Sequence, residues 1–280
     1  MLTILKVLQK STAYLQKYGV PDARLSAEWI LAHNLGLKRL DLFLQFERPL
    51  PEKELAGIRA DIIRRANREP LQHVLGWVDF FGLKLCSDKR AFIPRPETEY
   101  LIELLQTEFS EGEPARILDL GTGSGAMLLA LLNTFGESSG LGIDLSPEAL
   151  DLARENGKNT GLSNRANFFQ SDWFEAVEGT FQLIVANPPY LTEQELESAE
   201  PEVLRYEPEL ALFGGNRGLD GLSAILREGP GYLEDGGLLA LETGVGQHDR
   251  LKEKAHGAGF SRVESVLDLS HRERYLMLRK

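Results

Sequence analysis

An asparagine, two prolines and a tyrosine follow one another directly after an apolar run that predicts a buried strand: Asn187, Pro188, Pro189 and Tyr190. The prolines lack N–H groups and fix their own φ angles, so the strand must end there. We therefore expect a stiff loop at the carboxyl end of a strand, where open α/β sheets bind their ligands. Such a loop would present an amide side chain, free carbonyls and an aromatic ring. The alternative is a proline loop in which Asn187 only caps the strand.

A glycine-rich turn follows another predicted strand, Arg116–Leu120, and precedes a predicted helix. Glycines permit a tight turn and the close approach of a ligand. Asp144 ends the next predicted strand, where a carboxylate can accept hydrogen bonds from a ribose diol. Together with Asp144, the predicted cofactor-binding residues of the turn are Gly121, Thr122, Gly123, Ser124 and Gly125. This pattern alone is also compatible with the dinucleotide of a dehydrogenase.

Further acidic residues favour a cationic cofactor. Asp119 precedes the first glycine, as in the acidic-x-Gly-x-Gly-x-Gly pattern of class I methyltransferases, and a carboxylate there would repel a pyrophosphate. Asp172 and Trp173 end the third predicted strand, where Asp172 can accept from an adenine amino group and Trp173 offers an apolar face. Trp173 has the alternative of being a core aromatic. We predict S-adenosyl-L-methionine as the cofactor, with Asn187 also in contact with it, and no metal.

The spacing of apolar residues divides the chain into a helical part and an α/β part. Residues 2–66 predict a small helical bundle. From residue 116 onwards strands and helices alternate, which predicts a doubly wound, seven-stranded, mainly parallel sheet whose last two strands pair antiparallel. A long insert, Leu191–Gly215, follows the tetrapeptide. The predicted domains are a helical substrate-recognition domain, 1–75; a β-hairpin and linker, 76–96; and a catalytic domain, 97–280.

Composition narrows the classes of protein that remain. The 280 residues are 42% hydrophobic and 26% charged, which is typical of a soluble globular protein. No apolar run approaches the roughly 18 residues of a membrane span, and the single cysteine, Cys86, fits a reducing compartment. The net charge of −11 disfavours a wide nucleic-acid surface. We therefore expect a cytoplasmic monomer without a direct nucleic-acid or membrane partner.

Several motifs together resemble one family of class I methyltransferases. Beside the glycine turn they are Pro70–Gly76, Ile93–Glu99, Ser171–Phe174, Asn187–Tyr190 and Arg205–Pro208. Over nearly its whole length the chain resembles the protein-(glutamine-N5) methyltransferases that modify peptide chain release factors. The resemblance implies a release factor as the protein partner and the glutamine of its Gly-Gly-Gln loop as the methyl acceptor.

This resemblance also implies roles for the tetrapeptide. An amide nitrogen is a poor nucleophile because its lone pair is shared with the carbonyl. The Asn187 side-chain oxygen and the Pro188 carbonyl can accept the two amide hydrogens and orient that lone pair, while Tyr190 packs against the flat amide. We predict Asn187, Pro188 and Tyr190 as catalytic residues. The predicted substrate-binding residues are Asn187, Pro188, Pro189, Tyr190, Arg95 and Glu242, although Arg95 and Glu242 can instead serve the fold.

Three alternatives remain open at this point. A sister enzyme that modifies a glutamine of a large-subunit ribosomal protein has nearly the same catalytic motifs. The tetrapeptide also serves N6-adenine and N4-cytosine methyltransferases, whose DNA-acting members must flip a base out of the duplex. A non-catalytic cofactor-binding protein is the alternative from a different class.

Overall fold

The first part of the chain forms helices around an apolar core. The computed structural model describes residues 2–215 and 217–280. Ile4, Leu15, Ile30 and Ile58 meet in this core and are each at most 1% exposed. The predicted bundle is confirmed, whereas the last, five-residue helix is too short to show a helical period. The helices are α1, Ile4–Lys17; α2, Ala23–Leu35; α3, Asp41–Leu44; α4, Glu52–Ala66; and α5, Leu71–Leu75.

A short β-hairpin and then alternating strands and helices follow. The strands are β1, Trp77–Phe80; β2, Leu83–Cys86; β3, Arg116–Leu120; β4, Ser139–Asp144; β5, Ala166–Gln170; β6, Phe181–Ala186; β7, Leu233–Glu242; β8, Arg262–Leu267; and β9, Glu273–Arg279. The helices are α6, Pro96–Glu108; α7, Ala126–Thr134; α8, Pro147–Asn159; α9, Glu193–Glu197; α10, Pro201–Tyr206; α11, Asp220–Tyr232; and α12, His248–Gly257, with a 3-10 helix at Glu209–Ala211. Among the described residues, no helix combines the length and apolar composition of a membrane span.

One sheet organises the α/β part. Within residues 2–215 and 217–280 it has seven strands in the order β5-β4-β3-β6-β7-β9-β8. Strand β9 is antiparallel to both of its neighbours, and the other neighbouring pairs are parallel. The predicted mainly parallel sheet is therefore confirmed, including the antiparallel pairing of the last two strands.

Both faces of this sheet are covered by helices. Successive residues of a strand point to opposite faces. Ile117 and Leu183 accordingly belong to an apolar cluster with residues of α6 and α7. Leu118 and Ile184 belong to a second cluster with residues of α11 and α12. Burial on both faces explains why the central strands are mainly apolar rather than alternating in polarity.

The protein divides into two compact units. The first contains Met1–Trp77 together with Glu200–Tyr206, and the second contains Val78–Ala199 and Glu207–Lys280. Part of the insert after the tetrapeptide therefore belongs to the helical unit, which the domain prediction does not include. The predicted domain limits themselves stay a prediction.

Ion pairs hold the insert segment within the helical unit. Glu202 of α10 accepts hydrogen bonds from Arg65 at 2.9 Å and from Arg68 at 2.8 Å. The Tyr206 hydroxyl donates to the carbonyl of Asn67 at 3.1 Å. Arg65 is only 5% exposed, so loss of Glu202 would leave a buried charge without this partner. Helix α10 is thus fixed to the C-terminal end of α4.

Candidate active site

Two loops start side by side at the carboxyl edge of the sheet. Strands β3 and β6 are parallel neighbours, and their last residues, Leu120 and Ala186, pair with each other. The glycine turn that begins at Gly121 and the tetrapeptide that begins at Asn187 therefore emerge together. This is the edge at which doubly wound sheets bind their ligands.

Both loops line one cavity of about 600 Å³. That volume is typical of a site for a small molecule or cofactor. Gly125, Arg95 and Glu242 lie outside its wall. The predicted residues on the wall are Gly121, Thr122, Gly123, Ser124, Asp144, Asp172, Trp173, Asn187, Pro188, Pro189 and Tyr190. The structure thus brings most of the predicted cofactor residues and the whole tetrapeptide to a single place.

The glycine turn presents its backbone to this cavity. Gly121 and Gly123 have φ angles of 70° and 55°, in the left-handed region that favours glycine. A Cβ atom on Gly123 would meet no atom within 4 Å, so a ligand can approach the backbone closely. Gly125 has a packing role, since a Cβ there would lie 3.1 Å from the Cβ of Ala153 and 3.2 Å from the Phe168 ring.

Asp119 is a fully buried carboxylate in the wall of the cavity. The Thr122 hydroxyl donates to its Oδ2 at 2.7 Å, whereas its Oδ1 has no hydrogen-bond partner among the described residues. Burial raises the pKa of Asp119 to about 7. A buried carboxylate oxygen without a partner is unfavourable. A cationic ligand in the cavity would remove this penalty.

Asp144 holds the turn and still has acceptor capacity. Its Oδ2 accepts from the N–H of Gly123 at 2.8 Å, and its Oδ1 accepts from the N–H of Ser146 at 2.9 Å. A carboxylate can accept about four hydrogen bonds, so acceptor capacity remains for a ligand. Burial raises the pKa of Asp144, and the N–H groups of Ser146, Gly123 and Leu145 oppose that shift.

Asp172 and Trp173 follow strand β5 on another side of the cavity. Asp172 is exposed, and Trp173 is half-buried with a φ angle of 43°, which is rare for a bulky residue. A Cβ atom on Gly221 would lie 2.7 Å from Cζ2 of Trp173, so the indole packs directly against the first turn of α11. Trp173 therefore has both a packing role and a face on the cavity.

The backbone of the tetrapeptide is held by glycines and by one glutamine. A Cβ atom on Gly214 would lie 2.5 Å from the carbonyl oxygen of Pro189, and one on Gly218 would lie 2.0 Å from that of Tyr190. The side chain of Gln247 donates to the Tyr190 carbonyl at 3.2 Å. Close packing therefore adds to the stiffness that the two prolines confer.

A chain of hydrogen bonds lies behind the tetrapeptide. Asn187 Nδ2 donates to Thr98 Oγ1 at 3.3 Å, and Thr98 Oγ1 donates to Glu242 Oε2 at 2.7 Å. The Tyr190 hydroxyl donates to the other oxygen, Glu242 Oε1, at 3.4 Å. Glu242 is 2% exposed, and burial raises its pKa. Glu242 thus contacts Tyr190 directly and is linked to Asn187 through Thr98.

Tyr190 is a neutral phenol in this environment. Burial raises its pKa, and the nearby charge of Glu242 raises it further. The guanidinium of Arg274 lies 5.9 Å from the centre of the Tyr190 ring. Tyr190 therefore offers an aromatic face and an O–H donor, but not a phenolate base.

Arg95 fastens its own loop. Its guanidinium pairs with Glu207 at 2.5 Å and lies 4.5 Å from the centre of the Phe92 ring. Glu207 also accepts from the N–H of Ile93 at 3.1 Å. Arg205, by contrast, is exposed on α10. The contacts of Arg95 and Glu207 thus hold the loop whose residues Phe92 and Pro94 line the cavity.

Thr98 is a site residue that sequence reasoning does not identify. Its partners lie 89 and 144 residues away in the chain, so no local motif reveals them. One signal is present in the sequence. Thr98 falls at helical spacing with Leu101, Ile102 and Leu105, which makes it a polar residue on the buried face of α6.

Comparisons with known families and structures agree with this architecture. Residues 6–76 match the PrmC N-terminal domain, and residues 96–205 match the methyltransferase small domain. A methyltransferase from Pyrococcus furiosus is 20% identical, with 79% of this chain and 97% of that chain covered and a TM-score of 0.55. The N-terminal domain of human METTL16 in complex with SAH is 17% identical, with coverages of 71% and 76% and a TM-score of 0.52. Both structures share the fold.

Relatives of higher identity cover nearly the whole chain. The release factor glutamine methyltransferase of Geobacter sulfurreducens is 40% identical over 259 residues, which are 92% of this chain and 90% of that protein. The protein of the same name from Deinococcus radiodurans is 39% identical over 274 residues, which are 98% and 97% of the two chains. These relatives decide against the dehydrogenase alternative. The chain belongs to the release factor glutamine methyltransferase family.

Proposed function

We propose that this protein transfers a methyl group from S-adenosyl-L-methionine to the side-chain amide nitrogen, N5, of the glutamine in the Gly-Gly-Gln loop of peptide chain release factors. The observation that carries the proposal is the single cavity lined by both the glycine turn and the tetrapeptide. The names of the relatives from Geobacter sulfurreducens and Deinococcus radiodurans support this acceptor. Such a modification would modulate translation termination.

The residues of the cavity fit the proposed cofactor. When bound, S-adenosyl-L-methionine supplies an electrophilic methyl group on a sulfonium centre. The unpartnered oxygen of Asp119 suits a ligand that carries positive charge, and Asp144 has acceptor sites left for a ribose diol. Asp172 and Trp173 offer an acceptor and an aromatic face for an adenine. The backbone of Gly121 and Gly123 permits the close approach that such a ligand needs.

The tetrapeptide accounts for the choice of an NH₂ group as acceptor. The Asn187 side-chain oxygen and the Pro188 carbonyl would accept the two hydrogens of the glutamine amide. This arrangement holds the amide in one orientation and directs the nitrogen lone pair out of the amide's hydrogen-bonded plane. Holding the amide in this orientation lowers the entropic part of the activation barrier. Tyr190, which lines the cavity, would pack against the flat amide.

No residue is assigned as a general base. The phenol of Tyr190 stays protonated because burial and the charge of Glu242 raise its pKa. Glu242 lies outside the cavity wall and is held by Thr98 and Tyr190. The proton of the methylated nitrogen can leave after the transfer. We propose a supporting role for Glu242 and for Arg95, which holds its loop through Glu207.

The charge of the protein favours a protein acceptor over a nucleic acid. A net charge of −11 would repel a polyanionic duplex. Because release factors act on ribosomes, the proposal places this protein in the cytoplasm. The expected monomer stays a prediction.

The proposal is tested with methyl-labelled S-adenosyl-L-methionine and three possible acceptors in one reaction: a purified release factor, a large-subunit ribosomal protein and duplex DNA. We expect the label in the release factor, and peptide mapping should locate it in the peptide that contains Gly-Gly-Gln. A reaction without the protein gives the background. Label confined to the ribosomal protein would favour the sister activity, and label confined to DNA would overturn the protein acceptor altogether.

A further inference from the structure

Thr98 connects the tetrapeptide to the last residue of strand β7. It lies in the first turn of α6 and is 5% exposed. Its hydroxyl oxygen is 3.3 Å from Asn187 Nδ2 and 2.7 Å from Glu242 Oε2. One hydroxyl thus bridges a residue that lines the cavity and a buried carboxylate that does not.

The Thr98 hydroxyl has a single proton, and this decides the direction of the hydrogen bonds that connect Asn187, Thr98 and Glu242. A threonine hydroxyl has one proton to donate, and an ionised carboxylate can only accept. The short contact with Glu242 therefore uses that proton. Towards Asn187 the Thr98 oxygen can then only accept, so the amide must turn its NH₂ group to Thr98 and its Oδ1 away. A flipped amide would bring two oxygens together without a proton between them.

The surroundings of Glu242 act on its ionised form in both directions. Burial raises the pKa of Glu242, whereas the hydrogen bond from Thr98 and the charge of Arg274 favour the carboxylate, and the charge of Glu97 opposes it. The phenol of Tyr190 donates to the second carboxylate oxygen at 3.4 Å. Each oxygen of Glu242 thus accepts a hydrogen bond from a different neighbour of the cavity.

We propose that Thr98 is a positioning residue that fixes the Asn187 amide with its oxygen available to the cavity. This inference rests on the proposed function, because that function requires Asn187 to accept a hydrogen from the substrate amide. Thr98 also lines the cavity, and the role proposed for it acts through Asn187 rather than on a reacting atom. Glu242 acts indirectly, since it accepts the hydrogen bond that the Thr98 hydroxyl donates.

Two substitutions at Thr98 and one on the same helix form the test. Thr98→Val removes the hydroxyl but keeps the shape, so Asn187 Nδ2 loses its acceptor and the amide is free to flip. We expect kcat for methyl transfer to a release factor to fall about tenfold, with KM for the cofactor unchanged. Thr98→Ser restores the hydroxyl and should restore kcat. Thr107→Val is the control, since Thr107 lies exposed on α6 and donates only to the carbonyl of Glu103.

A second variant and a second readout separate positioning from stability. Glu242→Gln keeps the shape of the side chain and leaves the Thr98 hydroxyl in place. Because the new amide can also donate, the directions of the hydrogen bonds from Asn187 to residue 242 are no longer fixed, and kcat should fall. The side-chain NH₂ signal of Asn187 in a ¹⁵N–¹H spectrum, identified by its absence in Asn187→Asp, should move in Thr98→Val and stay in place in Thr107→Val.

The outcomes distinguish this inference from the proposed function. If the wild-type protein labels no release factor, the proposed function fails, and the NMR comparison alone decides how Asn187 is held. The inference is overturned if Thr98→Val keeps the wild-type kcat, if Thr98→Ser is as impaired as Thr98→Val, or if the Asn187 signal does not move.

Discussion

The glycine turn after β3 and the tetrapeptide after β6 lie at the ends of paired strands, yet they form their parts of the site in different ways. The turn uses backbone: Gly123 has open space where a Cβ would be, and its N–H is held by Asp144. The tetrapeptide uses side chains and carbonyls, which Thr98, Glu242 and Gln247 hold from distant parts of the chain.

This difference separates binding from chemistry. A backbone cradle needs glycines in a short stretch, so the turn is complete within one segment and suits a cofactor of constant shape. The tetrapeptide must direct one amide oxygen and one carbonyl at a reacting group, and that demands support from several elements. Changes near the turn should therefore alter cofactor affinity, whereas changes near the tetrapeptide should alter turnover.

The largest effect is expected for Asn187→Ala. This change removes one of the two acceptors for the substrate amide, and loss of one oriented polar group in a catalytic site costs about 100-fold to 1000-fold in kcat. The melting temperature should stay close to the wild-type value, and because Asn187 is also a predicted cofactor contact, cofactor affinity should fall, but much less than kcat. Steady-state kinetics and calorimetry measure these quantities.

Asn159→Ala is the matched control for that experiment. Asn159 is exposed on α8 and donates to the sulfur of Cys86. Its replacement should leave kcat unchanged. A well-folded Asn187→Ala protein with nearly wild-type turnover would break the assignment of the tetrapeptide to the chemistry.

An intermediate effect is expected for Asp144→Ala. The change removes the acceptor for the N–H groups of Gly123 and Ser146 and also the proposed acceptor for the ribose. Hydrogen bonds to charged groups are strong, so cofactor affinity should fall about 10-fold to 100-fold. At saturating cofactor kcat should change much less. Asp151→Ala, at an exposed position of α8, serves as the control in calorimetry. Equal affinities of the three proteins would contradict the role of Asp144.

A smaller effect is expected from pH. Without a ligand the pKa of Asp119 is raised to about 7, so the carboxyl is largely protonated at pH 6 and ionised at pH 8. A cationic cofactor binds the ionised form, so its affinity should fall about tenfold from pH 8 to pH 6. In Asp119→Asn the cofactor affinity should be lower than that of the wild type at pH 8 and should change little between pH 8 and pH 6. Calorimetry at several pH values measures this difference. If Asp119 does not interact with the cofactor, cofactor affinity will depend on pH in the same way in both proteins.

The sequence predicts the framework of the fold well, for a physical reason. Central strands such as β3 and β6 are buried on both faces, so they appear as mainly apolar segments, followed directly by Gly121 and Asn187. The insert helices α9 and α10 escape prediction because they are short and have no fully buried residues that would impose a period. The assignment of α10 to the helical unit depends on ion pairs with Arg65 and Arg68, which no local pattern encodes.

The site is predictable to the extent that its residues lie in one segment. The glycine turn and the tetrapeptide are each visible as short motifs with a physical reason for every position. The support of the tetrapeptide is not, because Thr98 and Glu242 meet Asn187 and Tyr190 only after α6, β6 and β7 come together. Gly221 is a further example, since its lack of a Cβ makes room for Trp173, 48 residues before it in sequence.

The central claim is that the tetrapeptide selects a side-chain NH₂ group. It is tested most directly with two versions of a release factor, one with the natural Gly-Gly-Gln loop and one in which that glutamine is replaced by glutamate. The two side chains have nearly the same shape, but glutamate has no amide hydrogens to donate to Asn187 and Pro188. Mass spectrometry after the reaction should find one methyl group on the glutamine nitrogen and none on the glutamate version. Equal methylation of both versions would contradict the claim.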